Sequence, residues 1–365
     1  MIDSITIKNF KCIDNETLNF SPLTILTGAN SSGKSTVIQG LLLGLKYLQY
    51  QSQDMSRIAQ YRNLIDNFMS YDDIYNRRVG RKNVSIDVKF KMPDPLGLKY
   101  SRFDYDNNSD PTISGDSIDK NNTNTLLLLG NSFYYVSANR QGPASIEQVG
   151  FERLFKPDLS NMYSVFEQNK SEPIHESISN ERAHSPMLKH QVSYWLSQIL
   201  NMNNGIDAKV ERIDSNFVRL EYEFEDIGSV SPFNTGTGTS FLVRLIILCL
   251  RAKPTDTIVI ENPEIHLHPY SQSKLGEFFA YLAQRGIQIV IETHCEHLIH
   301  RVRYEIYKQR LNHEFATIHY KSSATTAFET IHINQGGHFT DPDGVERGFP
   351  SGFFDKSLME LLEIG

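Results

Sequence analysis

The alternation of apolar and polar positions predicts short buried strands that alternate with amphipathic helices. Residues 23–26 form an apolar run of strand length, and the residues behind it recur at helical spacing: Val37, Ile38, Leu41, Leu42, Leu45 and Leu48. A second run of β-forming residues, 257–260, precedes a helical pattern, and residues 287–291 form a further, mostly apolar run. Strands separated by helices in this way predict an α/β fold around a parallel sheet.

A glycine-rich segment links the first strand to its helix. It reads Gly28-Ala-Asn-Ser-Ser-Gly-Lys-Ser-Thr36, and this pattern between a strand and a helix predicts a phosphate-binding loop. Its backbone N–H groups would close around a polyphosphate at the helix N-terminus, where the helix dipole also favours negative charge. We expect Lys34 on the outer phosphates and Ser35 on Mg²⁺. The full set of expected nucleotide contacts is Asn30, Ser31, Ser32, Gly33, Lys34, Ser35 and Thr36.

Acidic residues follow the second strand. We expect Glu261 at the carboxyl edge of the sheet beside the phosphate loop, where Mg²⁺ would bind. Glu264 follows closely, and a carboxylate there would orient or deprotonate the hydrolytic water. The next strand ends in Glu292-Thr-His294, which places the imidazole of His294 at the same edge, within reach of a terminal phosphate, as a third catalytic residue with Glu261 and Glu264. The alternative interpretations are an ordinary strand-end acid for Glu261, a solvated loop acid for Glu264 and a structural histidine for His294.

These segments together resemble the heads of ABC-type ATPases, specifically the SMC-like and overcoming-lysogenization-defect (OLD) ATPases. The resemblance is carried by Ile5-x-Ile7-x-Asn9-Phe10, the phosphate-binding loop, Glu261-Asn-Pro-Glu-Ile-His-Leu-His-Pro269 and Glu292-Thr-His-Cys-Glu-His297. Gly352-Phe-Phe-Asp355 also matches the closing motif of a bacterial branch associated with antiphage defence.

The resemblance implies a P-loop NTPase of the α/β class: an ABC-ATPase head with a mixed sheet, an antiparallel β-subdomain and an inserted helical subdomain. It also implies that ATP and Mg²⁺ bind between two heads. The expected assembly is therefore a homodimer or a higher even-numbered oligomer.

Another glycine-rich turn, Asn234-Thr-Gly-Thr-Gly-Thr-Ser240, precedes the strand over 257–261, which corresponds to the Walker B strand of ABC ATPases. A predicted helix begins at the end of this turn. Backbone N–H groups and hydroxyls at a helix start suit phosphate binding, and a flexible Gly/Thr linker is the alternative interpretation. By correspondence with the family's signature loop, Gly236, Gly238 and Ser240 would act on the partner's ATP.

Two positions bear on how far the family pattern holds. Typical ABC heads end the Walker B strand in Asp-Glu, but this chain has Glu261-Asn262, and an asparagine cannot act as a base. Either Glu264 is the base, which we favour, or hydrolysis is slow and the chain is an ATP-gated clamp. Arg140, in a Ser-Ala-x-Arg segment like that of the family, is expected to contact phosphate or the interface; a surface turn arginine is the alternative.

The motifs divide the chain into four segments. We expect an N-terminal ATPase lobe over 1–145, a helical insertion over 146–235, a C-terminal ATPase lobe over 236–313 and a small C-terminal domain over 314–365. In the first lobe, residues 83–105 have the pattern of antiparallel strands. The polar stretch 107–124 predicts an exposed, mobile loop.

Charge and composition narrow the function classes. The formal net charge of −7 is unusual for a dedicated nucleic-acid binder, so nucleic-acid contact stays open on resemblance alone. Two basic groups have the character of solvated surface: Arg77, Arg78, Arg81 and Lys82, and Arg301, Arg303, Lys308 and Arg310. Three widely spaced cysteines suit a reducing compartment, and no apolar run resembles a signal peptide or a membrane span. We therefore expect a cytoplasmic protein without membrane contact.

Two related functions are disfavoured. No heptad pattern is sustained between the motifs, which argues against the coiled-coil arms of chromosome-organising SMC proteins. About seventy residues follow His294, fewer than the metal-dependent Toprim domain of OLD nucleases needs. Asp341-Pro-Asp343 has the composition of a turn, so we expect no nuclease activity.

The favoured function is an ATP-hydrolysing ATPase that dimerises head-to-head and gates a separately encoded effector, such as a nuclease or toxin, in bacterial antiviral defence. The alternatives are a DNA-repair clamp on ends or junctions and an ATP-binding scaffold with little hydrolysis. Salt-dependent DNA binding that strengthens with ATP and needs no partner would favour the clamp.

Overall fold

The computed structural model describes residues 1–45, 71–80, 82–91, 98–105, 112–115, 131–150, 155–202 and 204–350. The strands in these ranges are β1 (Ile2–Phe10), β2 (Ile13–Asn19), β3 (Leu23–Gly28), β4 (Val84–Lys91), β5 (Leu98–Tyr105), β6 (Thr112–Gly115), β7 (Phe133–Val136), β8 (Ile146–Gln148), β9 (Ile206–Arg212), β10 (Phe217–Phe224), β11 (Gly228–Val230), β12 (Thr257–Glu261), β13 (Gln288–Glu292), β14 (Ala316–Lys321), β15 (Glu329–Ile333) and β16 (Phe339–Thr340). The helices are α1 (Lys34–Gly44), α2 (Tyr71–Ile74), α3 (Met162–Asn169), α4 (Leu188–Leu200), α5 (Thr237–Arg251), α6 (Pro269–Gln284) and α7 (Glu296–Tyr307). Across the described ranges, none of these helices combines the length and apolar character that crossing a membrane requires.

A seven-stranded sheet forms the centre of the fold, in the order β16-β15-β14-β3-β13-β12-β7. Strands β14, β3, β13, β12 and β7 run parallel, whereas β15 and β16 continue the sheet antiparallel. The parallel strands are apolar runs because both faces are covered: Ile258 and Ile260 belong to one hydrophobic core, and Val259 between them belongs to the other. The predicted α/β architecture with a mixed sheet is confirmed.

The antiparallel sheet β2-β1-β4-β5-β6 packs with α1 on one face of the central sheet. Gln288 at the start of β13 joins the two sheets, since its side-chain amide accepts from the Ile2 N–H and donates to the Ile2 carbonyl, both at 2.7 Å. The antiparallel strands predicted over 83–105 are confirmed. Within the loop predicted over 107–124, the described residues 112–115 form β6, which pairs with β5.

Residues 146–235 carry two helices and a small sheet. Helices α3 and α4 pack into the core on the other face, where the Trp195 ring lies 4.8 Å from the Phe278 ring of α6, centroid to centroid. Strands β8, β9 and β11 all pair antiparallel with β10. The insertion therefore contains the expected helices together with a sheet that the sequence does not predict.

After α7 the chain returns to the central sheet. Strand β14 is buried at every residue and pairs with β3 along its whole length. Residues 316–340 of the segment predicted as a small C-terminal domain thus extend the ATPase sheet, and its boundaries remain a prediction. The turn at Asp341-Pro-Asp343 is confirmed, since Asp341 Oδ1 accepts from the Asp343 N–H at 3.0 Å and the Val345 N–H at 2.9 Å. Gly352-Phe-Phe-Asp355 lies outside the described residues.

Candidate nucleotide-binding site

The phosphate-binding loop runs from β3 into α1 against a neighbouring strand. Gly28 has φ 135°, and a β-carbon there would lie 2.0 Å from the Lys321 carbonyl oxygen of β14, so this close approach requires glycine. The Ala29 N–H donates to the same oxygen at 3.1 Å. Gly33 is the N-cap of α1 and Lys34 begins it, so the loop surrounds the unsatisfied N–H groups of the first turn.

The Lys34 ammonium lies within the loop and donates to the carbonyl oxygens of Gly28 at 3.2 Å and Ala29 at 2.7 Å. Burial lowers the pKa of Lys34, and the nearby Glu292 carboxylate opposes this shift. The Ser35 hydroxyl donates to Glu292 Oε1 at 2.7 Å. The serine predicted to bind Mg²⁺ therefore contacts Glu292, to which the sequence assigns no role.

The remaining loop side chains fall into two groups. Asn30 and Ser31 are exposed, whereas Ser32 and Thr36 are buried. Ser32 Oγ is buried without a hydrogen-bond partner, and Thr36 Oγ1 lies 3.6 Å from Cys12 Sγ. Asn30 and Ser31 are thus the side chains of this group that a ligand can reach from solvent, while Ser32 and Thr36 would contribute backbone N–H groups.

The turn after β12 brings Glu264 to the end of β13. Asn262 has φ 43°, a left-handed conformation in which asparagine is enriched, and its N–H donates to the Glu292 carbonyl at 2.7 Å. Glu264 Oε1 then accepts from the His294 N–H at 3.1 Å. The left-handed turn at Asn262 redirects the chain, and this change of direction places Glu264 beside His294.

Arg140 anchors this turn from the other side. The residue is 9% exposed, and its guanidinium donates to the carbonyl oxygens of Asn262, at 2.9 Å, and Glu261. Burial lowers the pKa of Arg140 to about 10, and the carboxylates of this edge limit the shift. Glu261 Oε2 accepts from the Ala138 N–H at 3.1 Å. The sequence predicts that Arg140 contacts phosphate or the interface, but these bonds hold it to the protein's own backbone.

His294 is exposed at the same edge. Partial burial lowers the pKa of His294, and the Lys34 ammonium lowers it further, so the imidazole is neutral at neutral pH. The structure therefore brings together the predicted residues of the three motifs: Lys34, Ser35, Glu261, Glu264 and His294.

The carboxylates at this edge of the sheet, those of Glu261, Glu264 and Glu292, form an acidic edge that suits a hard divalent cation. Three of its oxygen atoms are buried without a hydrogen-bond partner: Asn262 Oδ1, Glu264 Oε2 and Glu292 Oε2. Burial raises the pKa of Glu292, and the Glu261 charge adds to this effect. Mg²⁺ usually takes one or two protein carboxylates together with phosphate oxygens and water, and these residues fit that arrangement. In the described part of the chain, no set of three His, Cys, Asp or Glu side chains forms a metal site by itself.

The glycine-rich turn before α5 has exposed and buried positions. Asn234, Gly236 and Thr237 are exposed, and Gly236 is the N-cap of α5. Ser240 has no exposed surface, and its hydroxyl oxygen accepts from the Tyr222 hydroxyl at 3.4 Å. The sequence predicts that Ser240 acts on a partner's ATP, but its place in the first turn of α5 points it into the core. The exposed hydroxyl of this turn belongs to Thr237.

Gly238 lies against the loop that follows Glu264. A β-carbon at Gly238 would be 2.3 Å from the His266 carbonyl oxygen, and the Phe241 ring stacks on the His266 ring with centroids 5.4 Å apart. A β-carbon at Gly236 would meet no atom within 4 Å. Gly238 thus allows the turn before α5 to pack against the loop around His266 in the same chain, whereas Gly236 faces open space.

A cleft without a clear sequence signal flanks the start of α1. Its volume is about 370 Å³, and its lining includes Lys11, Cys12, Tyr75, Arg77, Arg78 and Thr325. The Lys11 ammonium donates to Gln39 Oε1 of α1 at 2.6 Å, and the Cys12 thiol lies 3.6 Å from the Ser32 carbonyl oxygen. The lining also contains Asp73, and Arg78 is paired with Asp14, so the cleft is of mixed charge. Three other clefts among the described residues, of about 400, 620 and 680 Å³, lie away from the phosphate loop.

Several members of the two basic groups are held by acids. Arg301 Nε and Arg310 Nε each lie 2.6 Å from a Glu305 carboxylate oxygen, and Arg78 pairs with Asp14 at 2.9 Å. These pairs reduce the positive charge that the surface offers, so the structure adds nothing to the resemblance as an argument for DNA binding.

The chain is similar to curated proteins in sequence and to solved proteins in fold. Residues 23–299 match the family described as "AAA domain, putative AbiEii toxin, Type IV TA system". The OLD nuclease of Thermus scotoductus is 23% identical over 325 residues, an alignment that covers 80% of this chain. The chain spans 59% of the length of that relative.

Solved SMC heads share the fold. The SMC head domain from Thermotoga maritima has a TM-score of 0.52 at 11% identity, covering 91% of this chain and 99% of that one. An Smc head bound to the C-winged helix domain of ScpA has a TM-score of 0.54 at 12% identity, covering 92% and 98%. The Smc head with an extended coiled coil, bound to the C-terminal domain of ScpA derived from Pyrococcus furiosus, has a TM-score of 0.53 at 9% identity, covering 100% and 99%. The fold is that of an SMC-type head, and the match over residues 23–299 shows that the chain belongs to this AAA-domain family.

Proposed function

We propose that the chain binds ATP with Mg²⁺ at the carboxyl edge of the central sheet and hydrolyses it. The observation that carries this proposal is the convergence of three distant segments at one edge, seen in the Ser35–Glu292 and His294–Glu264 hydrogen bonds. Lys34 and the N–H groups of the loop would hold the phosphates, and Ser35 with the acidic edge would hold Mg²⁺. Mg²⁺ would neutralise charge on the transferred phosphoryl group. Glu264 would orient and deprotonate the attacking water.

The active form in this proposal is a head-to-head homodimer, or a higher even-numbered oligomer built from such dimers. The exposed turn at Asn234, Gly236 and Thr237 offers N–H groups and a hydroxyl at the start of α5. Such a helix start suits the phosphates of a nucleotide held by a second copy. Each site would then combine the phosphate loop of one chain with the signature turn of its partner.

We further propose that the dimer is a cytoplasmic switch that gates a separately encoded effector in antiviral defence. The relative in Thermus scotoductus is named a nuclease, and the family description includes a toxin of a type IV toxin–antitoxin system. An Smc head of the same fold is bound to a domain of ScpA, so this kind of head can carry a protein partner. These names support coupling of the ATPase to an effector.

The test is nucleotide binding and phosphate release by the wild-type chain and by Lys34→Ala. We expect Lys34→Ala to lose nucleotide affinity, because the ammonium lies in the loop that would hold the phosphates. Lys253→Ala, an exposed lysine outside the site, is the matched control and should behave as wild type. Unchanged affinity in Lys34→Ala would refute the loop assignment, and tight binding by the wild type without turnover would favour the scaffold alternative.

A further inference from the structure

Glu292 contacts the phosphate loop through the Ser35 hydroxyl, which donates to its Oε1 at 2.7 Å. Strand order explains this contact. Strand β13 lies between β3 and β12, with Glu292 opposite Leu26 on one side and Glu261 on the other. Glu261 is therefore one strand spacing, about 4.8 Å, further from β3 than Glu292 is.

The second oxygen of Glu292 is buried without a partner. The residue is 6% exposed, and Oε2 has no hydrogen bond, although the Lys34 ammonium is close enough to act on the carboxylate electrostatically. Keeping a carboxylate oxygen buried and unpaired is costly, so such atoms usually serve a ligand or a charge. Here the oxygen belongs to the edge where Glu261 and Glu264 also end.

We propose that Glu292 is a positioning residue for Mg²⁺: it holds the Ser35 hydroxyl in place and, together with Glu261, supplies the acidic edge that attracts the cation. This inference rests on the proposed ATP site. In this proposal the affinity of the head for Mg²⁺ depends on Glu292 at the end of β13 as well as on Glu261 at the end of β12. The sequence assigns that role to Glu261 and Ser35 alone.

The experiment measures affinity for a fluorescent ATP analogue, first in EDTA and then across a Mg²⁺ titration, for the wild type and Glu292→Gln. Loss of a carboxylate that orients a metal ligand is expected to raise the Mg²⁺ concentration for half-maximal effect by roughly 10- to 100-fold. In EDTA the variant should bind the nucleotide as well as wild type or better, because a negative charge beside the phosphates is gone. Glu314→Gln, an exposed carboxylate elsewhere, is the control.

The measurements in EDTA and in Mg²⁺ distinguish the possible results. Weaker binding of Glu292→Gln in EDTA as well as in Mg²⁺ would indicate a general structural role and overturn the proposal, as would an unchanged Mg²⁺ titration. Recovery of the Mg²⁺ response in Glu292→Asp would support it if Glu292→Gln folds poorly. If the wild type binds no nucleotide at all, the proposed function itself fails, and that outcome is distinct from an unaltered Mg²⁺ response in the variant.

Discussion

Asn262 occupies the position where related heads carry a catalytic glutamate, and its backbone explains the difference. With φ 43° it makes the left-handed turn that sends the chain toward Glu264, and its N–H is bound to the Glu292 carbonyl. A glutamate is less suited to that conformation than asparagine. In our proposal the base lies two residues further along the chain, at Glu264, whose carboxylate accepts from the His294 N–H.

For Glu264→Gln we expect ATP binding to persist while turnover falls by roughly 100-fold or more, the usual contribution of a general base. The ATP-bound dimer should accumulate, which size-exclusion chromatography with ATP would detect. Glu261→Gln is the comparison, and it should weaken Mg²⁺-dependent binding instead. If only Glu261→Gln stops turnover with ATP still bound, the base is Glu261.

His319 on β14 gives a pH dependence of stability. It is 1% exposed, with Nε2 2.8 Å from the Asn19 carbonyl oxygen and Nδ1 3.1 Å from Thr330 Oγ1, contacts that suit the neutral ring. Burial lowers the pKa of His319 to about 4. The unfolded chain binds a proton below about pH 6.5 that the folded chain excludes, so stability falls as pH drops through this window, by up to about 2 kcal/mol at pH 5.

Urea unfolding of the wild type and His319→Gln at about pH 7 and about pH 5 tests this linkage. We expect the variant to be less stable at the higher pH and to lose less stability on acidification. His184→Gln, at an exposed histidine, should keep the wild-type pH dependence. An equal loss of stability in His319→Gln and the wild type would contradict the assignment.

At the scale of elements, the turn before α5 contains two glycines, Gly236 and Gly238. The sequence predicts the same role for both, but their surroundings in the structure differ. Gly238→Ala places a β-carbon against the His266 carbonyl and should cost about 1–3 kcal/mol of unfolding free energy. Gly236→Ala enters open space at φ −59° and should change stability by less than about 0.5 kcal/mol. Thermal unfolding of both variants is the measurement, and equal midpoints would show that the turn moves freely against the Walker B loop.

Elements with strong local patterns could be predicted, and those that depend on distant contacts could not. Strands β3, β12 and β13 are apolar runs that end in polar residues, so their order along the chain and their chemistry are visible in the sequence. Strand β8 has only three residues and pairs with β10 some seventy positions later, which leaves no local signal. The amide clamp of Gln288 on Ile2 spans 286 positions and is invisible for the same reason.

At the scale of the whole molecule, the proposed composite site predicts complementation between two inactive chains. Lys34→Ala lacks a working phosphate loop, and Thr237→Arg would block the exposed start of α5. In a mixed dimer one site pairs the intact loop of one chain with the intact turn of the other. Random mixing in a two-fold dimer should therefore restore about a quarter of wild-type turnover.

Phosphate release by each variant alone and by an equimolar mixture is the measurement. Activity that only sums the two separate variants would mean that each site is completed within one chain. A mixture of wild type with Lys34→Ala calibrates how freely chains exchange. The two substitutions lie on different elements, Lys34 on α1 and Thr237 on α5, and the folded state of each variant can be checked separately by thermal unfolding.

The motifs of the site were predictable from sequence, but their contacts were not. Lys34, Glu261, Glu264 and His294 follow from local patterns and resemblance. The partner of Ser35 depends on which strand lies beside β3, and the burial of Ser240 depends on the rotation of α5 against Tyr222. Both are properties of packing between segments hundreds or tens of residues apart.

The contact between Gly28 and the Lys321 carbonyl has a consequence for synthesis of the protein. The loop that would bind phosphates packs against β14, a strand that leaves the ribosome almost three hundred residues later. A nascent chain therefore carries an incompletely formed loop until β14 has been made, a delay of tens of seconds at roughly 5–20 residues per second. Nucleotide capture, and any pairing of heads that depends on it, is thereby deferred until β14 has emerged and paired with β3.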